Sequence, residues 1–110
     1  MSGRDSPSTG NGNGGPGYSS QCDTLRLDLQ LSSPQAAVVA TLNVNDVLLI
    51  VVVPMNGQVI VQVLSQGQPA GGLTGPEATQ LRNCIGQGHN YTATVLQIVS
   101  GQVRVRVEHA

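Results

Sequence analysis

The sequence predicts a mainly β, β-rich α+β fold: a small, partly open β-barrel of six or seven strands capped by one short helix. Three observations carry that expectation. Apolar residues alternate with polar ones at period two in several runs after Cys22. Turn-forming residues separate those runs at short intervals. Only the segment from Thr74 to Ile85 combines helix-start residues with a helical apolar stripe. One helix supplies too few crossovers for a doubly wound α/β sheet, so that class is excluded.

A chain of 110 residues holds one domain and a tail. Residues 1–21 are mostly Gly, Ser, Asn and Pro, including Gly10-Asn11-Gly12-Asn13-Gly14-Gly15. With almost nothing apolar to offset backbone entropy, this stretch is expected to be a disordered spacer, leaving 22–110 as the small β-barrel domain.

The first strand places Leu25, Leu27, Leu29 and Leu31 on one face and Arg26, Asp28 and Gln30 on the other. Ser32-Ser33-Pro34-Gln35 turns the chain into a second strand over Ala36–Leu42, and Asn43-Val44-Asn45-Asp46 turns it again. The third strand, Val47–Val53, is apolar at every position and is expected to be central and covered, with Asp46 and Pro54 as gatekeepers. Asn56-Gly57 is a hairpin signal because both residues accept positive φ. It leads into Gln58–Leu64, with Val59, Val61 and Val63 on one face and Ile60 and Leu64 on the other. A strand apolar on both sides needs a second cover, either the helix or a partner subunit, which makes Ile60 and Leu64 candidate interface residues. After the turn Ser65-Gln66-Gly67 comes a short Gly-rich strand, Gln68–Leu73.

Thr74-Gly75-Pro76-Glu77 reads as a helix start in which Thr74 accepts from first-turn amides, Glu77 reaches back and Pro76 fits the first turn. Ala78, Leu81, Cys84 and Ile85 form the buried stripe, and Gly86 or Gly88 ends the helix. Tyr91–Val99 and Gln102–Glu108 close the chain as a hairpin through Ser100-Gly101, with Val103, Val105 and Val107 inward and Arg104, Arg106 and Glu108 outward.

Charge and composition narrow the function. Only 10% of residues are charged and the formal net charge is -1, with all five basic residues Arg. Domains that neutralise phosphate carry clustered cations and a high isoelectric point, whereas this chain has a pI near 6.0. Lacking Lys, the chain offers neither Schiff-base chemistry nor a P-loop. His89 and His109 are the only histidines, and no nucleophile elbow or carboxylate pair accompanies them, so the chain is expected not to be an enzyme. Cys22, Cys84 and His89 lack the short paired spacing of a zinc site, so no metal and no cofactor is expected. The two cysteines have two readings, a pair of buried thiols or a single bridge pinning the first strand to the helix, and the thiols are the expected state. No segment reads as a signal peptide or a membrane span, which makes a cytoplasmic location the expectation.

The residues from Gln68 to Val99 carry a family resemblance. Gln68-Pro69-Ala70-Gly71-Gly72-Leu73, then Thr74 to Ile85, then Gly88-His89-Asn90-Tyr91-Thr92-Ala93-Thr94-Val95 resemble the second half of a HIRAN domain. In that family a strand enters a helix over a β-barrel; Ala70-Gly71-Gly72-Leu73 matches the strand end and Ala78–Ile85 the helix. The resemblance implies binding of single-stranded nucleic-acid ends as an accessory to a helicase or nuclease. Pro54-Met55-Asn56-Gly57 stands where the family has an Asn-Pro-x-Asp-x-Asn-Ala segment, so its DNA-contacting positions do not carry over.

Two functional expectations follow. The first is a non-catalytic protein-interaction or assembly module that self-associates or docks on a partner, because strands apolar on both faces tolerate burial against protein. The second is the HIRAN-like nucleic-acid reading, with Arg26, Arg104, Arg106 and Tyr91 on the contact face. Asp28 and Glu108 alternate with those arginines, so cross-strand ion pairs are the expected state of that face.

Overall fold

The computed structural model describes residues 17–110. Residues 1–16 of the expected tail lie outside them, and its last five belong to helix α1, Gly17–Thr24. The period-two runs become strands β1 (Arg26–Gln30), β2 (Val47–Met55), β3 (Gln58–Ser65), β4 (Gln68–Leu73), β5 (Tyr91–Val99) and β6 (Gln102–His109). Helix α2 (Ala36–Val39) precedes β2, and α3 (Pro76–Gly86) joins β4 to β5.

The strands make one antiparallel sheet in the order β1-β6-β5-β2-β3-β4. The expected mainly β fold with six strands and a helix is present, but the sheet is not closed into a barrel. Past the end of β1 the chain meets the edge strand β4 in an isolated bridge, where the amide of Ser32 donates to Gly72 O at 2.8 Å and the amide of Gly72 donates back to Ser32 O at 2.9 Å, and the amide of Gln35 donates to Ala70 O at 2.9 Å. Gly71 permits this approach, since a Cβ there would stand 3.0 Å from Ser32 O and 3.1 Å from Leu31 Cβ.

The hairpins follow the turn chemistry. Asn56 and Gly57 have φ of +52° and +78°, and the pairs Gln66-Gly67 and Ser100-Gly101 repeat that double positive φ, which matches the twist of the strands they join. In the Asn43–Asp46 turn, the Asp46 carboxylate accepts from the amide of Asn43 at 2.8 Å.

Two local expectations are corrected. Ala36–Leu42 is not a strand but helix α2 and a following turn. Its apolar residues bury at a spacing of three, Val39 and Leu42, and the amide of Val39 reaches back to Gln35 O at 2.8 Å. Thr74 does not cap α3. The N-cap is Gly75 at φ +88°, which carries no side-chain cap, and Thr74 Oγ1 pairs instead with Ser32 Oγ at 3.1 Å. The end of α3 is as expected, with Gly88 at φ +103° donating to Ile85 O.

One face of the sheet is the core. Val61, Val63, Val95, Val103, Val105 and Val107 are buried there beneath Ala78, Leu81 and Cys84 of α3, together with Val39 and Leu42. Cys22 and Cys84 are buried as well, but as a disulfide, with Cα atoms 5.6 Å apart, rather than as the expected thiols. The bridge ties α1, and not the first strand, to α3, because Cys22 lies within the helix that precedes β1. Among the described residues no helix is long and apolar enough to cross a membrane.

Candidate functional site

The opposite face of the sheet carries the candidate site. Strand register sets side chains in rows across it, and the rows run from charge at one side to hydrocarbon at the other. One row reads Arg26, Glu108, Thr92, Leu49, Leu64; the next reads Asp28, Arg106, Thr94, Val47. Beyond them, Val51 faces Gln62 and Val53 faces Ile60.

On the β2–β3 half, the alternation that buries Leu48 and Ile50 turns their neighbours outward. Val47 is 65% and Leu49 60% exposed, and Val51, Val53, Ile60 and Leu64 are half-buried. β2 is central, as expected, but among the described residues it is covered on one face only. The described helices spend their buried apolar residues on the core, Cys22 from α1, Val39 from α2 and Ala78, Leu81 and Cys84 from α3. Ile60 and Leu64 therefore do lie on a face without cover from α3, beside Val47 and Leu49. Sequence reasoning missed those two because a run apolar at every position carries no alternation to mark an open side.

This aliphatic strip continues into a groove of about 470 Å³ at the sheet edge, lined by Met55, Ile60, Gly72, Gly75, Ala78 and Arg82. β4 pairs with β3 only as far as Val61–Leu73, so Val59 and Ile60 lie past its end. There Arg82 donates to Val59 O at 3.2 Å.

On the β1–β6 half, Arg26, Arg104 and Arg106 do share the face, since the first and last strands pair. They do not form a free cationic patch. Arg106 makes two hydrogen bonds to the Asp28 carboxylate, at 2.8 and 3.0 Å, and Arg26 lies 3.4 Å from Glu108. The Arg106 hydrogen bonds hold the Asp28 carboxyl below its ordinary value of 3.8, and Asp28 raises the guanidinium in turn. The small stabilisation from this exposed pair is present above the usual carboxylate range and is lost as pH falls through the lowered value. Among the described residues Arg104 has no ion-pair partner.

Tyr91, expected beside these arginines, is on the other face. It lies in line with the buried Ala93 and Val95, is 2% exposed, and its hydroxyl donates to Cys22 O at 2.7 Å. Burial, and after it the charge of Asp23, pushes its phenol above 10.0. Cys22 and Cys84 offer no thiolates to His89, because they are bonded to each other. His89 is half-buried after α3; its ring packs edge-on against that of His109, and its Nδ1 lies 3.4 Å from Asp23 Oδ1. No family model, curated protein or solved structure matches the chain.

Proposed function

We propose that this chain is a non-catalytic assembly module that self-associates through the outer face of β2 and β3. The observation that carries this reading is the row of Val47, Leu49, Val51, Val53, Ile60 and Leu64 on a sheet whose other face is already filled. Contiguous aliphatic surface of this kind marks an interaction site. A second copy is the occupant that fits it. All but Arg104 of the neighbouring Arg, Asp and Glu side chains on β1 and β6 pair among themselves, so that half of the face selects only weakly for a charged partner. A two-fold arrangement sets strip against strip and leaves the ion ladders at the rim, as in packed sheets about 10 Å apart. The Cys22–Cys84 bridge favours an oxidising compartment for this assembly over the cytoplasmic setting that thiols would suit.

The test is light scattering during size exclusion over a concentration series. A dimer is expected whose dissociation constant rises at least about tenfold in Leu49→Arg, because a charge in a desolvated apolar contact costs upwards of 1.4 kcal/mol. A parent chain that stays monomeric at high micromolar concentration overturns self-association, and recovery of a distinct protein partner would then move the same face to that partner. A second reading, accessory binding of single-stranded nucleic-acid ends in the manner of HIRAN domains, draws on the co-facial Arg26, Arg104 and Arg106.

A further inference from the structure

We propose that Asp23, His89 and His109 form a binding site for a tetrahedral divalent transition-metal ion, zinc by donor preference. Three elements distant in sequence each bring one ligand atom to the same point: Asp23 from α1, His89 from the loop after α3, and His109 from the end of β6. His89 Nδ1 lies 3.1 Å from His109 Nε2. Asp23 Oδ1 lies 3.4 Å from the first and 3.6 Å from the second. Bonds of about 2.0–2.1 Å from a tetrahedral zinc to nitrogen and oxygen set its ligands about 3.3–3.4 Å apart. The observed triangle thus has the size of one face of that tetrahedron.

Hydrogen bonding alone explains the cluster less well. The two ring nitrogens stand at hydrogen-bonding distance, yet the carboxylate oxygen stands outside the roughly 2.7–3.2 Å of an N–H···O bond to either ring. A cation at the centre satisfies all three atoms together. Two imidazoles with one carboxylate suit zinc and its first-row neighbours, whereas calcium and magnesium take oxygen ligands. Three protein ligands leave the fourth position to water, and the Asp23 side chain is 60% exposed, so solvent reaches the cluster.

The ligands are also held from behind. Asp23 follows Cys22, whose disulfide to Cys84 and whose carbonyl bond from Tyr91 fix the end of α1. The amide of His89 donates to Cys84 O at 3.2 Å, and the Tyr91 ring meets His109 edge-on at 5.3 Å. Such support sets ring orientation before the ion arrives.

The test uses the full chain with its disulfide intact, stripped with chelator and desalted. Co²⁺ is titrated in and followed by its visible absorption, and Zn²⁺ affinity is read by competition with a chromogenic chelator. One equivalent should bind with bands of tetrahedral intensity, Mg²⁺ should not compete, and Zn²⁺ should raise the melting temperature. His89→Ala and His109→Ala should each weaken Zn²⁺ binding by more than about 100-fold, the upper end of what changes behind the ligands cost. A sheet spectrum and melting in chelator unchanged from the parent chain confirm that each variant still folds. Failure of the parent chain to bind a stoichiometric ion overturns the proposal, as does binding that survives both histidine variants.

Discussion

At the scale of single residues, Tyr91 is the side chain with the most to lose. Its ring fills the core side of β5 while its hydroxyl satisfies the Cys22 carbonyl, a backbone acceptor that is otherwise buried against the end of α1. Tyr91→Phe keeps the ring and leaves that carbonyl unpaired, so the expected cost is about 1–2 kcal/mol, read from chemical or thermal unfolding at neutral pH. The pH dependence has a definite sign. Burial raises the phenol above its ordinary 10.0, so the folded state holds the proton more tightly than the unfolded chain. That contribution is complete below the ordinary tyrosine value and is lost as pH rises through the raised one. The gap between parent and Tyr91→Phe should therefore narrow above pH 10, and a gap that stays constant would show that the phenol does not titrate with folding. The sequence shows Tyr91 only as an aromatic in a strand; its direction depends on register, which places it in line with Ala93 and Val95 and away from the arginines.

At the scale of elements, legibility tracks how local the determinant is. The hairpin turns, β1, β4 and the β5–β6 pair follow from residues a few positions apart, such as Asn56-Gly57 or the alternation of Val103, Val105 and Val107. Helix α2 does not, because Ala36-Ala37-Val38-Val39 serves a buried strand and a helical turn equally well, and what decides is that Val39 and Leu42 reach the core three residues apart. Likewise, nothing near Cys22 announces Cys84, 62 residues on; their meeting is a product of the whole topology. Closing a loop of that length removes unfolded-state entropy worth about 4 kcal/mol. Cys22→Ser combined with Cys84→Ser should accordingly lower the melting temperature by about 20 °C in a domain of this size, with the sheet spectrum retained below the transition. A drop of only a few degrees would mean that α1 is held chiefly by Tyr91 and the core. The same nonlocality hid the Asp23, His89 and His109 cluster, since a His near each of two element ends carries no spacing signal until β5 and β6 pair.

At the scale of the whole molecule, the decisive property is how charge and hydrocarbon divide the outer face of the sheet. Counting residues gives a chain that is almost neutral, at -1, but the arrangement matters more than the total. Two of the three arginines on β1 and β6 are engaged by Asp28 and Glu108, which leaves Arg104 as the cation with no ion-pair partner among the described residues of that face. Phosphate binding to a single strand releases counterions with a slope near 0.7 per neutralised phosphate in a plot of log affinity against log salt. One unengaged arginine therefore supports a slope of about 0.7, well below that of a dedicated nucleic-acid domain. The aliphatic strip beside it has no such limit, since Val47 and Leu49 give up water on contact wherever they are covered. The two readings consequently separate in one measurement, fluorescence anisotropy of a labelled single-stranded oligonucleotide with open and blocked 3′ ends at low and physiological salt. The expected result is no saturable binding under either condition, and no difference between the parent chain and the variant carrying Arg104→Ala and Arg106→Ala. Saturable, end-dependent binding that weakens with salt and is lost in the double variant would reverse the order of the readings. It would require Arg106 to leave Asp28 for phosphate, and the ladder now pairing two of the three arginines on the β1–β6 face would have to be a resting state of a binding surface.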